Sequence, residues 1–276
     1  GVATRGLTSA LFPAHAHAEI SLNGETIVLH EVTDPIPCAA CPLQSCPGLR
    51  PLDETQLSYM QEFKAGEIRL DRGDVLIDEG ASYDHLYTLL EGVLIRSQSL
   101  EDGRRQILNF MFPGDLIGLQ GAFDEPSSHT IEALIDARLC RFKRGDFAGF
   151  VSKNPGLAYD ITWLAAKEET ALEGHILSLG QRNARERVTY LAVWLIDRAQ
   201  STCLADESNV LALPITQSQI ADMLGLSLVH TNRTLRQLQR EGLVEWKSRK
   251  IHVPDLAKAA DFAQFDRSRE KSRPFL

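Results

Sequence analysis

The fold of this chain is decided by residues 214–240, which read PITQSQIADMLGLSLVHTNRTLRQLQR. Thr216 precedes a short stretch of helical periodicity that ends at Gly225, and Ser227 opens a second stretch that continues to Arg240. A capping residue before each stretch and a glycine between them predict two short helices joined by a tight turn. The pair forms a helix-turn-helix, a unit whose second helix fits the major groove of DNA.

The second predicted helix has an apolar and a polar face. Its periodicity predicts that the core-facing positions are Leu228, Thr231, Leu235 and Leu238. The remaining side chains then point outward. An ordinary three-helix packing unit with a solvated face is the alternative interpretation of the same pattern.

A hairpin with a basic tip follows this helix. Leu243–Trp246 and Ile251–Val253 read as its strands, and Lys247–Lys250 as its tip. Residues 211–252 carry six basic and three acidic side chains, a net charge of +3 within a chain of −8. A basic wing beside a helix-turn-helix indicates phosphate contact. The predicted DNA-contacting residues are Thr216, Gln217, Ser227, Val229, His230, Asn232, Arg233, Arg236, Lys247, Arg249 and Lys250.

Upstream, residues 67–142 alternate short apolar stretches with glycine turns. Val75–Ile77 and Val93–Ile95 have the length of strands, and Glu101–Arg104 reads as a hairpin turn. The spacing predicts a compact β sandwich or barrel.

Beyond Asn154 the apolar period changes from that of strands to that of a long helix. A long apolar stripe flanked by charged residues predicts a helix that pairs with its copy in a homodimer. The alternative is a helix packed on its own β domain. The stripe consists of Leu157, Ile161, Leu164, Ala165, Leu172, Ile176 and Leu179.

Composition narrows the function classes. The chain has 276 residues, 43% of them hydrophobic, and a net charge of −8, which argues against a protein that coats nucleic acid over its whole surface. No stretch has the apolar length of a membrane span and no secretory signal is visible, so we expect a cytoplasmic protein without a membrane partner. The histidines and aspartates show no triad or metal-ligand spacing, so we do not expect an enzyme.

The five cysteines are unevenly placed, since Cys38, Cys41 and Cys46 fall within nine residues. In a reducing compartment such a group indicates metal binding or redox chemistry. The three thiolates can wrap one face of an iron–sulfur cubane, which leaves a fourth ligand to come from elsewhere in the fold. Cys203 has no partner in this pattern and is interpreted as structural or incidental.

The predicted chain resembles the CRP/FNR family of bacterial transcription regulators, because it combines a β domain with glycine turns, a long helix and a C-terminal winged helix. The resemblance covers about residues 38–255 and is carried by Gly92, the run Phe112–Gly118 and the segment Gly225–Arg233. It implies an α+β fold with an N-terminal cyclic-nucleotide-binding-type β jelly roll, a long dimerisation helix and a C-terminal winged helix-turn-helix. It also implies a homodimer that binds a palindromic double-stranded DNA operator and works with RNA polymerase.

On this likeness the chain divides into four parts. Residues 1–37 are an N-terminal arm, and residues 38–153 are a cysteine loop plus a β-roll sensory domain. Residues 154–181 are the dimerisation helix. Residues 182–276 are the DNA-binding domain with a C-terminal tail.

The cysteine set is similar to that of the FNR-like branch, in which Cys140 matches a distant fourth ligand. The resemblance therefore implies an oxygen-labile [4Fe–4S] cluster on Cys38, Cys41, Cys46 and Cys140. Cys46 departs from the pattern, because FNR-like members have one more residue before their third cysteine.

Two further departures concern the ligand and the operator. Residues 114–137 contain no Arg or Lys where cyclic-nucleotide-responsive members hold the phosphate, so no cyclic nucleotide is expected. Val229 stands where the family has a glutamate that reads cytosine, whereas Arg233 matches the family arginine. The usual half-site is therefore not expected.

Two alternatives remain open. A regulator of the same family without a cluster would bind zinc or another ligand, respond through thiol oxidation, or be controlled by its abundance. A thiol oxidoreductase would use the Cys38–Cys41 motif, but such a motif opens a helix in a βαβ unit, and no parallel α/β pattern follows here.

Overall fold

The computed structural model describes residues 17–22, 25–247, 249–267 and 272–276. Its N-terminal half is a β domain built from two antiparallel sheets. The strands are β1 (His17–Leu22), β2 (Glu25–Glu31), β3 (Lys64–Leu70), β4 (Val75–Ile77), β5 (His85–Glu91), β6 (Leu94–Ser99), β7 (Arg105–Met111), β8 (Leu116–Ile117), β9 (Thr130–Ala133) and β10 (Ala137–Lys143).

The two sheets face one another across an apolar core. One has the strand order β1-β2-β3-β10-β5-β8 and the other has the order β4-β9-β6-β7. Ile68, Leu89, Leu94 and Leu139 are fully buried between them. These side chains form the core between the sheets, and the predicted β jelly roll is confirmed.

The sheet extends into the segment predicted as an N-terminal arm. β1 and β2 form a hairpin, and β2 pairs with β3 through His30 opposite Arg69 and Glu31 opposite Ile68. The boundary at residue 37 therefore differs from the structure, because residues 25–31 offer a strand to the open edge of β3. Residues 1–16, 23 and 24 of the predicted arm lie outside the described residues.

Helices make up most of the remaining chain. Pro155 at the first position of the longest helix starts it where proline is tolerated. The bounds are α1 (Glu54–Phe63), α2 (Phe147–Lys153), α3 (Pro155–Gln181), α4 (Ala184–Ser201), α5 (Gln217–Leu224), α6 (Leu228–Arg240) and α7 (Leu256–Ala263).

A small three-stranded sheet completes the C-terminal unit. Its strands are β11 (Val210–Leu211), β12 (Glu245–Lys247) and β13 (Lys250–His252), in the order β11-β13-β12. With α5 and α6 it forms the predicted winged helix-turn-helix.

The C-terminal unit packs directly on the β domain. Residues of β6, β7, α4, α5, α6 and the wing share one apolar cluster. Arg105 of β7 lies 3.4 Å from the Asp222 carboxylate of α5, and the Gln106 amide donates to the carbonyl of Met223 at 3.1 Å. The helix α4, which leads into the winged helix-turn-helix, is thus part of the same core as the β domain.

The last described segment, residues 272–276, returns to the cysteine loop. Arg273 pairs with Leu49 as a parallel bridge, and Phe275 and Leu276 are buried beside Cys38 and Cys140. The C-terminal segment therefore belongs to the core beneath that loop.

In the part of the chain that the structure describes, no helix combines the length and apolar character needed to cross a bilayer.

Candidate functional site

The two helices of the DNA-reading unit begin and end where their capping residues lie. The Thr216 hydroxyl accepts a hydrogen bond from the Gln219 amide, and the Gln219 side-chain oxygen accepts one from the Thr216 amide. Gly225 ends α5 with φ of 60°, a left-handed conformation that favours glycine. The Ser227 hydroxyl then accepts from the His230 backbone and starts α6. The local sequence fixes the turn.

One face of α6 is buried and the other is open. Thr231, Leu235 and Leu238 are buried, as predicted. Leu228 differs from its predicted core position, since its side chain is 51% exposed. The first turn of α6 projects beyond the core, and Leu226 packs against that core from the preceding turn instead.

The open face of α6 forms a shallow concave surface rich in donors and cations. It is lined by Gln217, Val229, Asn232, Arg233, Arg236, Gln239 and Arg240. Val229 is 80% exposed, and Arg233 and Arg236 are exposed beside it. Within the described ranges neither of these two arginines forms an ion pair. We call this surface the α6 face.

The other predicted contact residues surround the α6 face. Thr216, Gln217 and Ser227 are exposed at the helix starts, and His230 and Asn232 are half-buried. Lys247, Arg249 and Lys250 are exposed on the wing, which buried Trp246 and Ile251 anchor. Gln239 and Arg240 were not predicted, although continuing the period from Arg233 and Arg236 would have included them.

Three free thiols lie where the loop before α1 packs on the β domain: Cys38 and Cys41 belong to the loop, and Cys140 belongs to β10. Cys38 and Cys140 are buried and Cys41 is half-buried. Burial raises the pKa of Cys38 and of Cys41, and it raises the pKa of Cys140 to about 12, with further increases from Glu67, Cys41 and Cys38. Without a bound cation these thiols are held in their protonated form.

A buried charged group lies next to these thiols and was not predicted from the sequence. The Glu67 carboxylate is paired with Lys64 and with Arg138, and it accepts a hydrogen bond from the Ile36 backbone at 2.9 Å. Lys64 also donates to the Ile36 carbonyl. Burial raises the pKa of Cys38 and of Cys140, and the positive charge of Lys64 offsets only part of that rise. The group also holds the approach to the cysteine loop in place.

Cys46 differs from the prediction. Its sulfur is bonded to that of Cys203, which follows the end of α4. A cysteine in a disulfide has no thiolate to offer a metal, so Cys46 is not a ligand in this state. The sequence assigned Cys203 no partner, because the pairing spans 157 residues.

In its donor chemistry the set suits an iron–sulfur cluster, because Cys38, Cys41 and Cys140 are free thiols and Cys46 would add a fourth once the Cys46–Cys203 bond is reduced. A mononuclear zinc would draw its sulfurs to about 3.8 Å from one another. In the described part of the chain, the group with three ligand atoms all within 4.8 Å is His30, Asp71 and Asp74, and not the three thiols.

A cavity of about 570 Å³ lies between the β domain and α3. Residues 114–137 contain no Arg or Lys, but two arginines from other parts of the chain, Arg96 and Arg273, line this cavity. Both are paired, Arg96 with Glu168 at 3.1 Å and Arg273 with Asp115 at 2.8 Å. Glu169 adds further negative charge, so carboxylates oppose both cations in this cavity.

The predicted dimerisation stripe divides into two parts. Leu157, Ile161 and Leu164 are buried in the chain's own core, because α2 and the β domain cover the first half of α3. The open residues of the stripe are Ala165 and Ile176, with Leu172 and Leu179 half-buried. Ile176 is 68% exposed, and its neighbour Leu177, absent from the prediction, is 54% exposed.

Two family models match the chain. One describes a cyclic nucleotide-binding domain over residues 67–154, and the other a Crp-like helix-turn-helix domain over residues 187–260. These ranges coincide with the β domain and with the unit that carries the α6 face.

Relatives of known name extend this similarity over most of the chain. The transcriptional activatory protein AadR of Rhodopseudomonas palustris is 31% identical over 229 residues, covering 83% of this chain and 90% of AadR. The transcriptional activator protein FnrL of Cereibacter sphaeroides is 27% identical over 245 residues, covering 87% and 97% of the two chains. Both are regulators and not enzymes.

Among solved structures, FixK2 from Bradyrhizobium japonicum superposes with a TM-score of 0.62 at 28% identity. The match covers 71% of this chain and 96% of FixK2. The β domain, long helix and winged unit therefore occur together in a protein of known structure.

Proposed function

Because the chain belongs to the CRP/FNR family of transcription regulators, we propose that it is a homodimeric regulator that reads a palindromic DNA operator and responds to oxygen or redox state through its cysteines. We expect it to act in the cytoplasm, with RNA polymerase as a second macromolecular partner. The main observation behind the proposal is the α6 face, where the exposed side chains of Arg233 and Arg236 form no ion pair with any of the described residues.

The contrast with other arginines supports DNA contact by the α6 face. Arg185 is paired with Glu241, and Arg198 is paired with Asp115. Arg233 and Arg236 instead remain available for phosphates or for guanine edges. Val229 offers an apolar contact suited to a thymine methyl group, where a glutamate would offer a hydrogen-bond acceptor.

A second copy of the chain is the occupant that best fits the open part of α3. Ile176 and Leu177 present adjacent apolar surface near the end of the helix that leads into the DNA-reading unit. Pairing along this part of α3 would bury Ile176 and would bring two α6 faces, one from each copy, into the same dimer. Two-fold symmetric proteins of this kind read half-sites about one helical turn apart.

Redox response is proposed from the cysteine geometry. Cys38, Cys41 and Cys140 would hold a [4Fe–4S] cluster together with Cys46 in its reduced form. A bound cluster would supply a centre that oxygen can dismantle. The thiol spacing supports a cluster over a single zinc ion, since each thiolate of a cubane binds a different iron. The loop would then be ordered against the β domain, which biases the chain toward one conformation.

Anaerobic purification tests the cluster. We expect a brown protein with iron and sulfide in equal amounts, a broad visible absorption band and loss of that band in air. Cys38→Ser should lose the iron, whereas Cys203→Ser, which retains all four proposed ligands, should keep it. A colourless, iron-free protein with unaltered DNA affinity in air would overturn the sensing part of the proposal.

Selection from a pool of random-sequence duplexes tests operator recognition independently. The recovered sites should be two-fold symmetric, and the protein should bind them as a dimer. Recovery of asymmetric sites or of no preferred sequence would contradict the proposal.

A further inference from the structure

The Cys46–Cys203 bond joins two parts of the chain with different roles. Cys46 belongs to the loop that carries the proposed ligands, and Cys203 follows the end of α4, at the entrance to the DNA-reading unit. Their Cα atoms lie 5.4 Å apart, within the range that a disulfide spans without moving the backbone. The bond therefore connects the sensory domain to the DNA-reading unit.

The backbone holds these cysteines together by contacts other than the sulfur bond. The Gly48 amide donates to the Ser201 carbonyl at 2.9 Å, and a Cβ on Gly48 would lie 2.3 Å from the Ser201 Cβ. The Arg273 amide donates to the Gly48 carbonyl at 2.8 Å, and the Arg50 amide donates to the Arg273 carbonyl at 2.7 Å. A reduced chain would keep the two sulfurs close, because these hydrogen bonds do not depend on the disulfide.

The surroundings favour oxidation at this pair over the other thiols. Cys203 is exposed, with a left-handed φ of 65° at the end of the helix, so an oxidant can reach it. Cys38 and Cys140 are buried, so an oxidant in solution reaches them less readily than it reaches Cys203. Disulfides in a compartment that holds DNA are usually transient and serve catalysis or redox sensing.

We propose that Cys46 and Cys203 are a reversible thiol–disulfide pair that peroxide oxidises and that locks the DNA-reading unit to the sensory domain. The Cys203 thiolate attacks hydrogen peroxide, breaks its O–O bond and becomes a sulfenic acid while one water is released. The Cys46 sulfur then attacks the Cys203 sulfur and displaces hydroxide, which leaves as a second water. Two thiols are oxidised by two electrons to one disulfide, and one peroxide is reduced to two waters.

This oxidation has two consequences for the proposed regulator, on whose DNA-binding function the inference rests. The disulfide removes Cys46 from the proposed cluster ligands, so the chain offers either the four-thiolate set or the cross-link. The cross-link also fastens the end of α4 covalently to the cysteine loop, and so limits how far the DNA-reading unit can move relative to the sensory domain. Because two units must match two half-sites at once, we expect a locked unit to bind its operator more weakly.

The cross-link is tested on the reduced, metal-free full chain by peroxide treatment, alkylation after denaturation and peptide mapping. We expect one major product, a peptide pair joined through Cys46 and Cys203, which dithiothreitol reverses. Cys203→Ser should abolish it, and the matched variant Cys41→Ser should retain it. A Cys38–Cys41 bond as the main product, or a sulfinic acid on Cys203 without a cross-link, would overturn the proposal.

The regulatory effect is measured without a cluster, in the Cys41→Ser background, which lacks one proposed ligand. Fluorescence anisotropy with a duplex selected from a random-sequence pool should give an affinity about fivefold or more lower after oxidation, the lower limit of typical coupling between sites. The Cys41→Ser, Cys203→Ser double variant should bind equally before and after peroxide. Unchanged or tighter binding by the oxidised single variant would refute the lock. A reduced single variant that binds no duplex, while the cluster-containing wild type binds it, would also refute the lock, because no cluster-independent binding would remain to be weakened. If the cluster-containing wild type binds no duplex either, the proposed function fails, and the peptide map still decides the cross-link.

Discussion

Nη2 of Arg198 lies 2.8 Å from Oδ1 of Asp115, and this buried ion pair joins α4 to the turn before β8. Arg273 binds the same oxygen at 2.8 Å, and the Phe112 amide donates to the other carboxylate oxygen at 2.8 Å. Burial alone would raise the pKa of Asp115, but Arg273 and Arg198 outweigh it and lower that pKa. The β domain, the helix before the DNA-reading unit and the C-terminal segment therefore meet at one carboxylate.

Asp115→Asn should destabilise the chain strongly. The substitution leaves the buried guanidinium group of Arg198 without the charge of the carboxylate it is paired with, which typically costs about 3 kcal/mol or more. Urea denaturation followed by fluorescence measures the free energy of unfolding. Asp102→Asn is the matched control, since its exposed ion pair with Arg104 should contribute less than about 1 kcal/mol. Equal losses in the two variants would show that the Asp115 network does not stabilise the fold.

Arg233→Ala and Arg236→Ala should weaken operator binding while leaving the fold intact. Each removes an exposed cation of the α6 face, and we expect a loss of about 1–3 kcal/mol if the side chain reads a base. If the side chain contacts only a phosphate, the slope of the logarithm of the binding constant against the logarithm of the salt concentration should instead become shallower by about one. Anisotropy over a salt series separates these outcomes. Arg72→Ala, an exposed arginine of the β domain, controls for the change in net charge, and an equal effect there would contradict a role for the α6 face.

Ile176→Asp should convert the dimer to a monomer. Ile176 is exposed on α3, so a charge there would be buried unpaired in the proposed interface while the isolated chain would tolerate it. Sedimentation velocity reports the change in mass. Leu100→Asp is the matched control, because Leu100 is an exposed leucine next to the β6–β7 turn, away from α3. A dimer that persists in the Ile176 variant would place the interface elsewhere.

Local signals predicted the DNA-reading unit well. Thr216, Gly225 and Ser227 act through hydrogen bonds or backbone conformations within a few residues, so the sequence alone contains the information. The β domain was predicted for the same reason, since glycine turns and short apolar stretches repeat locally. Leu228 was misplaced because helical period alone does not show where the core ends.

Contacts between distant segments could not be predicted in this way. The apolar stripe of α3 was visible, but only the three-dimensional packing shows that Leu157 and Ile161 face the chain's own core and Ile176 does not. The Cys46–Cys203 pair and the Asp115–Arg273 pair join segments more than a hundred residues apart. Their partners are determined by the tertiary fold, and no spacing rule connects them.

His175 should make the chain less stable as the pH falls from 6.5 to 4. Burial, with a smaller contribution from Arg96, lowers the pKa of His175 to about 4 from its ordinary value of 6.5. Between these two pH values the unfolded chain binds a proton on His175 that the folded chain does not bind. The free energy of unfolding therefore decreases as the pH is lowered. The loss for this one group is about 3 kcal/mol at pH 4.

The substitution His175→Gln isolates this contribution. A neutral amide can keep the contact that Nε2 of His175 makes with Asn109 at 3.3 Å, but it does not titrate. Urea denaturation at several pH values should therefore show a flatter decline for the variant than for the wild type. Ala166→Gln, at an exposed position of α3, is the control for a glutamine that replaces no titratable group, and it should follow the wild-type curve. Stability changes with pH only where the folded and the unfolded chain bind different numbers of protons. Parallel curves for wild type and His175→Gln would therefore mean that His175 binds its proton equally well in both states, which would contradict the prediction.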